Sequence, residues 1–163
     1  MNEFFVNSFQ KVATFRKNGD NKQGGNVASY FCTPKGQVVH AIAGPVDAAT
    51  FLREARWTVE LWKLAQLEGN DKATRLAAFM RKAHLDRLRQ DFPGTHAQRT
   101  PGFAVQALIA PGRGNQLIQN LDNQAKVHLL LGNYPLPKVQ QIYSLVFERI
   151  LNERLSTVPV VQK

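Results

Sequence analysis

Residues 26–57, NVASYFCTPKGQVVHAIAGPVDAATFLREARW, read as strand, tight turn, strand, glycine corner and capped helix. Residues 27–32 and 37–42 are short runs rich in β-branched and aromatic side chains. Thr33-Pro34-Lys35-Gly36 lies between them, with Pro suited to the second turn position and Gly free to take a positive φ. Strands joined this tightly must be antiparallel. Gly44-Pro45 ends the second strand, because Pro offers no ladder donor. Asp47 is placed to cap a new helix with its carboxylate. In that helix Phe51, Ala55, Val59 and Trp62, with Leu52 beside them, form a stripe expected to face the sheet.

Working outward, residues 73–92 carry helical spacing at Leu76, Phe79, Met80, Ala83, Leu88 and Phe92, with Asp71 as its cap and Pro93-Gly94 as its stop. Residues 95–114 form a long connection whose apolar middle, 103–109, suits a short helix or strand. A further helix is expected from about Asn115 to Leu131, turning Leu117, Leu121, Ala125 and His128 or Leu129 inward. After Pro137, the residues Val139, Ile142, Tyr143, Val146, Phe147, Ile150 and Leu151 repeat at three and four, which predicts an amphipathic helix against the core. The expected class is α+β: a small antiparallel sheet packed with a helix over residues 1–68, followed by a helical region over 69–163 packed on it.

The run Tyr30-Phe31-Cys32-Thr33-Pro34-Lys35-Gly36-Gln37-Val38-Val39-His40, followed by Gly44 and a helix, resembles the C-terminal half of a thioredoxin-like domain. Residues 4–15 would then be the preceding central strand. The resemblance implies thiol–disulfide exchange only where two cysteines stand two residues apart. This chain has the single cysteine Cys32, and Val27 falls where that family has its cis-proline. Too few residues precede Val27 for the family's first strand and active-site helix. The resemblance therefore implies a truncated, non-catalytic module that binds protein. A fragment of an oxidoreductase whose active-site half lies elsewhere is the reading that an upstream Cys-x-x-Cys would favour.

A net charge of +9 over 163 residues invites nucleic acid or another polyanion as partner. The positive charge is spread, and its densest run, 81–89, is interrupted by Asp86. Arg81 and Lys82 on that run, and Gly112-Arg113-Gly114 in a loop that opens a helix, are the residues expected to meet an anion. The loop lacks the Gly-Lys-Ser/Thr of a phosphate-binding P-loop.

Other chemistry is sparse. His40, His84, His96 and His128 show no paired spacing, so neither a metal nor a cofactor is expected. His40 reads as packing or surface, Cys32 as a core or half-buried thiol, and Glu54, Glu60 and Glu68 as exposed helix residues. No apolar run is long enough to span a membrane, and the N-terminus lacks the pattern of a signal peptide. The expectation is a cytoplasmic protein with no catalytic residues of its own.

Overall fold

The computed structural model describes residues 4–6, 8, 16–18, 21–23, 27–69, 72–94, 101–110, 118, 120–153 and 155. Two strands, β1 (Arg16–Asn18) and β2 (Asn21–Gln23), pair antiparallel in a small hairpin that the sequence pattern did not announce. The strand expected over 4–15 lies mostly outside the described residues, and the described part of it is not in a ladder.

The decisive stretch folds as its pattern dictates. Strands β3 (Ala28–Cys32) and β4 (Val38–Ala43) form an antiparallel pair in which Tyr30 faces Ala41 and Phe31 faces His40. Gly36 takes φ 71° and donates its N–H to Thr33 O at 2.8 Å, closing the turn. At the corner Gly44 takes φ 100°, which a residue with a Cβ rarely adopts. Helix α1 (Ala48–Gly69) then begins on Asp47, whose Oδ1 accepts the Thr50 N–H at 2.7 Å.

The inward face of α1 is rotated from the expected stripe. Glu54, Ala55, Thr58, Leu61 and Ala65 are buried, whereas Val59 and Trp62 sit half-buried on its flanks and Leu52 is exposed. The physical reason is that Glu54 on this face meets a polar cluster, described below, while the Thr58 hydroxyl donates to Glu54 O at 2.8 Å. Every residue of β4 is buried. Val39 packs with Leu61, Ala65 and Met80, while Val38, Ala41 and Ala43 join the core of the helical region. The apolar core thus crosses the junction at residues 68 and 69.

Helix α2 (Ala73–Asp91) follows, starting after Lys72 without a side-chain cap; Asp71 lies outside the described residues. Residues 101–109 resolve as helix α3 (Pro101–Ile109) rather than strand. Of the helix expected from about Asn115 to Leu131, residues 115–117 and 119 lie outside the described residues and Ile118 is helical. Residues 120–121 turn, and helix α4 (Asn123–Asn133) begins after Asp122, which caps it by accepting Gln124 N–H at 2.7 Å. From Ala125 to Gly132 every residue of α4 is buried, so it is the central helix of this region. The last helix, α5 (Val139–Leu145), runs on into a π-helical turn at Val146–Ile150, and Ile142, Val146, Phe147, Ile150 and Leu151 are buried as their spacing requires.

Where α4 crosses α2 the approach is close. A Cβ at Gly132 would stand 2.7 Å from Leu85 Cδ2 and 2.9 Å from its Cγ. Helix propensity favours Ala over Gly by about 1 kcal/mol, but overpacking costs about 1–3 kcal/mol. The clash dominates because two atoms of Leu85 must move, so Gly132→Ala should lower stability in urea by about 1 kcal/mol.

Candidate metal centre

Three histidines, each 44 residues from the next in sequence, meet at the centre of the molecule. His40 comes from β4, His84 from α2 and His128 from α4, and all three are at most 1% exposed. One ring nitrogen from each lies within 4.8 Å of the others. The indole of Trp57 on α1 stands edge-on to all three rings, at centroid distances of 4.8, 5.4 and 5.5 Å from His40, His84 and His128.

The hydrogen bonds decide where the protons sit. His84 Nε2–H donates to Val39 O at 2.9 Å, which leaves His84 Nδ1 as a lone pair. His128 Nδ1 is 3.0 Å from it and, in the ion-free molecule, donates its N–H there. His128 Nε2 then has no partner. For His40 two tautomers compete. If Nε2 accepts from Gln124 Nε2 at 3.2 Å, both Glu54 Oε2 and the His40 Nδ1–H are left unpaired. If Nε2–H instead donates toward Glu54 Oε2 at 3.3 Å, only the Nδ1 lone pair is left over. A buried, unpaired carboxylate oxygen is the costlier defect, so we assign the second tautomer.

Glu54 corrects the sequence reading. Expected on the exposed face, it is 3% exposed and forms the hub of a charged group, whereas Glu60 and Glu68 are exposed as expected. Its Oε1 accepts from Arg53 and Arg87, each at 3.3 Å. Burial pushes the Glu54 carboxyl upward, but the His40 hydrogen bond and the Arg87 charge outweigh it and hold it below the usual carboxylate range. Arg87 also bonds Asp91 and lies 4.8 Å over the Trp57 ring. Burial drives all three histidines down, His84 to about 3 and His128 well below its ordinary value, so the imidazoles are neutral. Neutral imidazole is the form that ligates metals.

The residues singled out for an anion are not gathered here. Gly112, Arg113 and Gly114 lie outside the described residues. Arg81 and Lys82 are exposed on α2, where Lys82 pairs with Asp86 at 2.7 Å and Arg81 reaches Asn133 O at 3.4 Å. Asp86 also takes Arg89 at 2.7 Å, so the ridge is partly neutralised by its own acid. Cys32, expected to be core or half-buried, is exposed because the register shifts between Phe31 and Cys32 as β3 ends. Partial desolvation of its sulfur pushes the thiol up, opposite to what a thiolate nucleophile needs. Among the described residues no helix is long and apolar enough to cross a membrane.

The histidine centre escaped the sequence reading because no two of its members are near neighbours in the chain. A signal was nonetheless present. His40 interrupts an all-apolar strand, His84 stands four residues from both Met80 and Leu88 on the inward stripe of α2, and His128 precedes Leu129-Leu130-Leu131. Three histidines on three core-facing positions is a pattern that local spacing rules do not test. Comparison of the chain with protein-family models, with curated proteins and with solved structures finds no match.

Proposed function

We propose that this chain is a metal-binding protein in which His40, His84 and His128 hold a divalent ion of the Zn²⁺ class on a truncated thioredoxin-like platform. The observation that carries this reading is the pair of unpartnered ring nitrogens, His40 Nδ1 and His128 Nε2, inside a buried group of three neutral imidazoles. A buried polar atom without a partner costs about 1–3 kcal/mol. A cation accepts such lone pairs, and imidazole suits Zn, Cu, Fe and Ni.

The surrounding bonds support the same reading. Metal-bound histidines donate their other N–H to a carboxylate or a backbone carbonyl. Here His40 has Glu54 and His84 has Val39 O in those roles. Zn–N bonds of about 2.0–2.1 Å put ligand nitrogens about 3.3 Å apart in a tetrahedron. The three ring nitrogens, up to 4.8 Å apart, must close by about 1.5 Å to reach that spacing. The hairpin and α1 keep the order that the resemblance implies, and they supply His40, Glu54 and Trp57.

The test is calorimetric titration of chelator-treated protein with Zn²⁺ at neutral pH. One equivalent should bind tightly, and His128→Ala should abolish that binding. Uptake that is unchanged in the variant, or no uptake by the wild type, would refute the reading. Glu54→Gln should keep the site and weaken it about 10–100-fold, the usual cost of losing a carboxylate behind a ligating histidine.

A further inference from the structure

We propose that Trp57 is the gate of the three-histidine centre: an ion enters and leaves through the hollow outside the indole, when the ring turns off the imidazoles. This inference rests on the metal-binding reading. The ring centroids of His40, His84 and His128 lie 5.2–5.7 Å from one another, and the indole lies 4.8–5.5 Å from each. The four rings therefore stand at the corners of a nearly regular tetrahedron, and the indole closes the fourth side of the space between the imidazoles. All three histidines are buried, so a neighbour has to move before an ion reaches them. The described side chains that bond to or stack on them are Phe31, Glu54, Gln124 and Trp57. Phe31 and Glu54 are themselves buried. Gln124 meets His40 alone and at Nε2, the nitrogen turned away from the Nδ1 lone pair. Trp57 is half-buried and packs on all three rings.

The same side chain lines a hollow of about 540 Å³ together with Ala49, Arg53, Arg56, Glu60 and Arg87. No histidine lies in that wall, so the indole is what separates the hollow from the imidazoles. The space also gives the ring room to turn outward. Arg87 lies 4.8 Å over the indole and is held in turn by Glu54 and Asp91, so it latches the ring in the closed position. A cation–π contact of this kind breaks and re-forms without unfolding the chain. Three bare arginines at the mouth would repel an incoming cation. Glu54 bonds Arg53 and Arg87, Asp91 bonds Arg87, and Glu60 lines the same wall, so three carboxylates face the three arginines. An open state populated at about 0.1–10% slows loading by that factor relative to a site that is always open.

Stopped-flow absorbance of Co²⁺ uptake at rising ion concentration tests the gate. In the wild type the observed rate should level off at the rate of opening, because the ring must turn before the ion enters. Trp57→Ala should raise that plateau by about ten-fold or more, and should speed release to excess chelator as well. Ala49→Trp, which crowds the hollow from the first turn of α1, should load several-fold more slowly than the wild type. Ala49 is exposed, so this variant decides the question even where Trp57→Ala does not fold. A wild-type rate that stays proportional to Co²⁺ with no plateau marks an ungated site and overturns the proposal. So does Ala49→Trp loading at the wild-type rate, or a Trp57→Ala that releases faster but loads no faster and has only lost affinity. These results leave the metal reading standing, whereas failure of the wild type to take up Co²⁺ overturns both.

Discussion

With Zn²⁺ at about a thousand times its dissociation constant, the wild-type chain should melt roughly 10 °C higher than in chelator, and His84→Ala should show no such gain. A ligand at that excess stabilises the folded state by about 4 kcal/mol. For a chain of this size each kcal/mol moves the melting temperature by about 2–4 °C. His84→Ala also loses stability without metal, since it empties a fully buried position and removes the bond to Val39 O. The informative quantity is therefore the difference between zinc and chelator within each variant, which the packing loss leaves untouched. A gain in His84→Ala equal to that of the wild type would place the ion elsewhere.

Acid should unfold the ion-free protein steeply between about pH 6.5 and pH 4. An unfolded histidine titrates near 6.5. His40, His84 and His128 are held below that value in the folded chain, chiefly by burial, so below pH 6.5 the unfolded state takes up protons that the folded state refuses. Stability then falls as pH falls, by up to about 1.4 kcal/mol per pH unit for each such group. All three act in the same direction, so their losses add as the pH falls. Glu54 acts in the same direction at lower pH, because its depressed carboxyl contributes stability that is lost as the pH drops through its folded value. Arg87 and the neighbouring imidazoles add repulsion to any histidine that does protonate. Circular dichroism melts from pH 7.5 to 4.0 check this. His128→Gln should flatten the slope by about a third, and bound Zn²⁺ should shift the midpoint to lower pH, since protons and metal compete for the same lone pairs.

How much of this was legible in the sequence depends on the range of the interactions involved. The β3–β4 hairpin, the Gly44 corner and the Asp47 cap are written in turn chemistry and alternation, which act within a few residues. The final helix was legible for the same reason. The break before α4 was not legible, because the turn at 120–121 and the cap at Asp122 interrupt a run whose apolar spacing reads as one continuous helix. Glu54 was misplaced because a helical wheel records only the chain it belongs to. Its burial is decided by Arg87, thirty-three residues away, and by His40 on another element. The centre depends on three such distant meetings at once, and in one sequence only its core-facing histidines hint at it.

The most direct test is anomalous diffraction at the zinc edge from crystals grown with one equivalent of Zn²⁺. A peak bonded to ring nitrogens of His40, His84 and His128 at about 2.0–2.1 Å is the result expected. A map with no peak among those rings, and with the His84–His128 hydrogen bond still in place at full zinc occupancy elsewhere, would contradict it.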